Sequence, residues 1–249
     1  MQTNCLFRTT TPVPLYEQDE LQALTGGTLR PGGPVLTREL LGFCHFAPGS
    51  AMLDVGCGPG HSLEMMAREF RLRPTGVDPS RSMLLKAAQQ APMAELHQAA
   101  ATALPFADGV FDGVLCECVL SLTEDMDRSL QEMHRVLKPQ GRLILTDIYC
   151  KQLSLQAQLP ELKSCISRAL PLEAITDGLV RAGFSLTLLR DRSDLLKQLA
   201  GQIIFSYGSL EKFWALFMDG EAAQRTSCAL ATAPLGYAIL VAEKGGLHG

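Results

Sequence analysis

Residues 53–62 read Leu-Asp-Val-Gly-Cys-Gly-Pro-Gly-His-Ser, and no other stretch of the chain restricts its fold as strongly. The apolar run 51–55 leads into a turn with glycine at every second position, 56, 58 and 60, and a helical pattern follows at once. Glycine lacks a β-carbon and adopts positive φ cheaply, so the main chain can bend sharply there and a ligand can lie directly against it. A strand, a bare turn and a helix, in that order, form the first unit of a parallel sheet wrapped by helices.

The alternation continues downstream. Strands are expected at 74–77, 95–98, 113–116 and 142–146, with two more at 184–189 and 237–242. Helical periodicity fits 62–70, 81–90, 125–137 and 172–182, and Lys138-Pro-Gln-Gly141 and Ala182-Gly183 mark two helix ends. Five strands in a row separated by helices predict a doubly wound α/β fold. Two segments break the pattern: 151–170 reads as a helical stretch after the fifth strand, and 191–234 carries helices near 195–199 and 210–218 and could form a lid. Residues 1–48 read as a Pro- and Gly-containing arm followed by a short amphipathic helix over 36–43.

Composition narrows the partners. A net charge of −4 without a basic block lacks the electrostatic footprint of a nucleic-acid binder. Nowhere do about 18 apolar residues run together as a membrane span requires, and the start, Met1 to Thr10, lacks a leader pattern, so a cytoplasmic protein is expected. Eight cysteines occur without a Cys-x-x-Cys pair, and Cys116 and Cys118 have no companion ligands at zinc spacing, so no metal site is expected.

The spacing within the first turn carries the chemistry. Dinucleotide-binding turns follow Gly-x-Gly-x-x-Gly and place a pyrophosphate on a helix N-terminus, where a neighbouring carboxylate gives no benefit. Here the turn is Gly-x-Gly-x-Gly, with Asp54 two residues before it. That pairing suits a ligand carrying positive charge.

Residues 53–60 resemble the first motif of the class I S-adenosylmethionine-dependent methyltransferases, and the likeness continues in order. Gly76-Val-Asp-Pro-Ser80 resembles the acidic end of that family's second strand, and Leu104-Pro-Phe106 with Phe111-Asp-Gly-Val-Leu-Cys116 resembles the segments around the fourth. Residues 132–147 resemble the helix and strand that follow, and the chain is similar to the small-molecule methyltransferases of ubiquinone and menaquinone biosynthesis. The resemblance implies a Rossmann-like seven-stranded sheet, mostly parallel with an antiparallel last strand, plus helical cap segments. It divides the chain into an arm and cap helix (1–48), a cofactor-binding core (49–190 and 235–249) and a helical lid insertion (191–234).

The resemblance also assigns roles. It places Asp54 and the backbone of Gly56, Cys57, Gly58 and Gly60 around the methionine part of S-adenosylmethionine, and Asp78 on the ribose hydroxyls, since a carboxylate can accept two donors at once. Pro79 and Met83 would pack on the adenine. The acid that often receives the adenine amino group in the family is replaced by Ala100, which leaves backbone groups near Ala101 and Thr102 for that edge. The backbone at Cys116 would approach the cofactor's amino group. Glu117 is the candidate polar residue of the acceptor pocket, as a general base or as partner of a cationic group, or else a cap or ion-pair member. Strand alternation puts Cys116 and Cys118 on one side and Glu117 on the other, with ordinary packing as the plain role of both thiols.

The implied activity is methyl transfer to a small-molecule acceptor by in-line displacement, leaving S-adenosylhomocysteine. The alternative is a module that keeps the cofactor site without turnover. The sequence names neither the acceptor nor the oligomeric state, and a homodimer is compatible with it.

Overall fold

The computed structural model describes residues 30–151, 162 and 164–245. The expected arm up to residue 29, most of the expected helix over 151–170 and the last four residues lie outside them. Eight strands, β1 (Ala51–Val55), β2 (Arg73–Asp78), β3 (Glu95–Gln98), β4 (Phe111–Glu117), β5 (Leu137–Cys150), β6 (Leu170–Pro171), β7 (Phe184–Asp191) and β8 (Leu235–Lys244), form one sheet. Seven run in the order β3-β2-β1-β4-β5-β8-β7, and the two-residue β6 pairs with β5 off this path. β8 runs antiparallel to both neighbours, and the pairs among β1–β5 are parallel, as the resemblance implied.

The helices are α1 (Gly33–Cys44), α2 (His61–Arg68), α3 (Arg81–Gln90), α4 (Met126–Val136), α5 (Leu172–Arg181), α6 (Ser193–Tyr207), α7 (Leu210–Trp214) and α8 (Gly220–Thr232). Their starts follow local chemistry. The Ser80 hydroxyl accepts from the Met83 N–H at 3.2 Å, the Asp125 carboxylate from Arg128 at 2.9 Å, and the Asp219 carboxylate from Ala222 at 2.9 Å, each satisfying an orphan donor of a first turn.

Two cores lie on opposite faces of the sheet. Successive residues of the central strands alternate between them: Val114, Cys116, Leu143 and Leu145 pack on one side, Leu115 and Ile144 on the other. Strands covered on both faces bury nearly every side chain of their central stretches, which is why 51–53, 114–116 and 143–145 read as continuous apolar runs.

Some boundaries differ from expectation. α4 ends at Val136 because Leu137 is already extended and pairs with Phe111, and β5 reaches Cys150 because β8 pairs with it from Arg142 through Cys150. The described part of the expected helix at 151–170 is a run of turns over 164–168. In 191–234 the first helix extends to Tyr207, and α8 has no counterpart among the expected elements because its alanines, serine and threonines give little apolar periodicity.

Candidate active site

The sheet changes direction between β1 and β4. From β1 the chain moves outward to β2 and β3, then returns to the other side of β1 as β4, and this leaves a crevice at the carboxyl ends of the two central strands. Val55 pairs with Val77 on one side and Cys116 on the other, so the glycine turn that follows Val55 opens beside Asp78 and Glu117.

The three glycines do different work. At Gly56 φ is 73° and a β-carbon would stand 2.3 Å from Val119, so that residue is bare for packing. Gly60, at φ 91°, begins α2 against the Ala87 backbone of α3. Gly58, at φ 51°, has nothing within 4 Å of where a β-carbon would be, and there the main chain is open to an approaching ligand. The N–H groups of Gly56 and Cys57 are both held by the Val77 carbonyl, at 2.8 and 3.0 Å, which fixes the turn onto β2.

Asp78 joins the turn to the next helix. Its carboxylate accepts from the Gly58 N–H at 2.9 Å and the Ser80 N–H at 2.8 Å. Around it stand the other positions assigned to the cofactor: Pro79 is exposed just after β2, Met83 is buried in the first turn of α3, and Ala101 is buried in the loop after β3. The side chain of Cys116 packs wholly in the core, so only its backbone can face the crevice. Cys57 is likewise buried, and desolvation raises its thiol pKa far out of the reactive range.

Asp54 is buried near the end of β1. Burial, then the negative charges of Glu117 and Asp78, push its pKa up to about 8, against a lowering by Arg30. Three carboxylates therefore converge on the crevice, and Arg30 is the cation that acts on Asp54. The arrangement favours a positively charged guest.

Glu117 sits in an ion pair, one of the alternatives expected for it. Its carboxylate accepts from Thr37 of α1 at 2.8 Å and from Ser62 of α2 at 3.1 Å, and Arg30 pairs with it at 3.1 Å. The cationic partner is thus a residue of this chain. Thr37 and Ser62 are site residues to which sequence reasoning assigned no role. The available signal was the burial of an acid at the end of an apolar strand, which demands a partner without naming one. Cys116 and Cys118 do not share a side as alternation implied: Cys118 takes φ 55° just past the strand and turns into the opposite core, where its thiol lies 3.8 Å from the Tyr237 hydroxyl. Among the described residues no group of three or more His, Cys, Asp or Glu side chains is placed to hold a metal.

Comparison with known proteins decides the family. A methyltransferase domain model matches residues 53–145. The O-methyltransferase resE of Aspergillus sclerotiorum is 30% identical over 223 residues, which span 84% of this chain and 81% of that protein. The chain belongs to the S-adenosylmethionine-dependent methyltransferases. The fold of this methyltransferase is shared with the [4+2]-cyclase SpnF (TM-score 0.75, 23% identity, 94% of this chain and 98% of that one). It is shared also with phosphoethanolamine N-methyltransferase 2 of Haemonchus contortus, solved with phosphomonomethylethanolamine and S-adenosylhomocysteine (TM-score 0.74, 21% identity, 90% and 56%). No described helix of the methyltransferase is long and apolar enough to cross a membrane.

Proposed function

We propose that this enzyme methylates a small molecule, with S-adenosylmethionine lying across the glycine turn and the acceptor beneath α1 and the helices of 191–234. The observation that carries the reading is the convergence of Asp54, Asp78 and Glu117 on a crevice whose floor, at Gly58, is open main chain. The residues fit the cofactor: Asp78 offers a carboxylate that can accept from the ribose hydroxyls, and Asp54 offers a buried carboxyl that ionises as the cationic methionine end arrives, with the backbone of Gly56, Gly58 and Cys116 alongside. Pro79, Met83 and Ala101 surround the place for adenine.

When bound, S-adenosylmethionine supplies a methyl group on a positively charged sulfur, which an acceptor displaces in line. The protein's own work is positioning and exclusion of water. α1 closes over the crevice through its ties to Glu117, and that carboxylate acts as an anchor for Arg30. Residues 191–234 form the lid in this reading, 49–190 and 235–249 the core, and the enzyme works in the cytoplasm without nucleic acid, as a monomer or a homodimer.

The test is calorimetric titration with S-adenosylhomocysteine. Binding that weakens about tenfold or more in Asp78→Ala, in line with loss of hydrogen bonds to a charged group, supports the assignment. Absence of binding, or affinity untouched by the substitution, removes its basis. Bound cofactor with no labelled product from a broad extract of small metabolites would favour a module without turnover.

A further inference from the structure

A second cavity adjoins the crevice. It has a volume of about 420 Å³ and lies between the start of α1, at Gly32 to Val35, and one face of α6. That is within the range of small-molecule sites, roughly 300–1,000 Å³. The α6 face is divided in two by helical spacing. Leu195, Leu199 and Ile203, four residues apart, make an apolar wall, and Gln198, Gln202 and Ser206, at the same interval, make a polar one. The polar wall is exposed, so the cavity can fill from solvent. Among the described residues, none of the side chains lining it is acidic.

Arg30 closes the inner end. One nitrogen of its guanidinium is committed to Glu117, Thr37 and Ser62, and its Nε is buried without a hydrogen-bond partner. A buried donor left unpaired is destabilising until an acceptor meets it. Because Ser62 sits in the first turn of the helix after the glycine turn and Glu117 ends β4, this end of the cavity faces the crevice. Among the described lining residues a cation entering here would find a guanidinium and amides and no carboxylate. An apolar skeleton carrying an oxygen acceptor matches every wall.

We propose that this cavity seats the methyl acceptor and that it selects a small apolar molecule with a hydrogen-bond-accepting oxygen, neutral or anionic, over one bearing an ammonium group. Arg30 Nε and the Gln198 and Gln202 amides are the specificity-determining donors, whichever atom receives the methyl. This rests on the methyltransferase reading above, and the experiment separates the two.

The protein is first saturated with S-adenosylhomocysteine, with binding followed by calorimetry, and ligand-observed NMR then measures phenylacetate, acetophenone and phenethylamine, which share one ring. Phenylacetate and acetophenone are expected to bind, with phenethylamine at least about tenfold weaker. Gln198→Leu with Gln202→Leu, both exposed and outside the ion-pair network, should weaken phenylacetate about fivefold or more and leave S-adenosylhomocysteine affinity unchanged. Arg30→Lys, which keeps the charge and loses Nε, should act in the same direction. Preference for phenethylamine, no binding by either oxygen compound, or indifference of phenylacetate to the Gln198/Gln202 variant overturns the proposal while S-adenosylhomocysteine still binds. Failure of S-adenosylhomocysteine itself to bind overturns the reading beneath it.

Discussion

Gly56 and Gly58 stand two residues apart in one turn, both at positive φ, and differ in what lies beyond them. Alanine at 56 must meet Val119 at 2.3 Å as well as adopt a left-handed backbone, a combined loss of about 3 kcal/mol. Alanine at 58 has open space and only the backbone strain, about 1–2 kcal/mol. Denaturant midpoints should therefore fall more for Gly56→Ala, whereas Gly58→Ala should lose more cofactor affinity relative to its stability loss. Asp54 gives a pH signature. Its unfolded pKa is near 3.9 and its folded pKa about 8, so between these values the folded state holds the extra proton. Stability through this group falls as pH rises across that window. Asp54→Asn should become progressively more stable relative to the parent from pH 5 to pH 8 in cofactor-free protein. A bound cation lowers the Asp54 pKa again, so S-adenosylmethionine binding near pH 7 should release protons, visible as a binding enthalpy that depends on buffer ionisation. The turn glycines and both aspartates were legible because spacing and residue type are local. The hydrogen-bond donors that hold Glu117 were not, since Thr37 lies 80 residues away in sequence and Ser62 lies 55.

At the scale of elements, α1 is held to the sheet by its buried apolar stripe and by one buried carboxylate. It spans Gly33–Cys44 and buries Leu36, Leu40, Leu41 and Cys44 against the core, with Thr37 on the same side bonded to Glu117. Glu117→Ala leaves Arg30, whose side chain is 12% exposed, without its counter-charge, and loss of one member of a buried pair is destabilising by about 3–5 kcal/mol. Glu117→Gln keeps an oxygen for the Thr37 or Ser62 hydroxyl and should lose less. Hydrogen exchange should accelerate first in the α1 amides of both variants, and uniform acceleration across the sheet would argue against the anchor. The central strands and α2 to α5 were readable to within a few residues because burial on two faces, or on one stripe, prints a period on the sequence. α8 and the turns at 164–168 were not. Small residues such as Ala222, Ala223 and Thr226 can be buried without a strong apolar signal, and chain following a sheet edge is shaped by its neighbours.

The whole molecule is a frame for one crevice. Strand order places the carboxyl ends of β1, β2 and β4 together, and each contributes one acid, Asp54, Asp78 and Glu117. A further buried cluster, Phe213, Trp214 and Phe217 from the helices between β7 and β8 with Leu162, meets one sheet core at Ile166. Fold class and cofactor followed from sequence because the crevice is built from short local motifs; the acceptor cavity joins α1 to α6, more than 150 residues later, and no motif announces it. A ligand confined to the folded state stabilises it by about 2.7 kcal/mol at a hundredfold excess over Kd, so S-adenosylhomocysteine should raise the midpoint of thermal unfolding by roughly 5–10 °C. The decisive measurement is a crystal structure of the protein grown with S-adenosylhomocysteine. Density for the nucleoside should cross the turn at Gly58, with both ribose hydroxyls on the Asp78 carboxylate and the amino-acid end toward Asp54. Density bound elsewhere, or an Asp78 still closed on Gly58 and Ser80 with the ligand absent from the crevice, would contradict the assignment of the site.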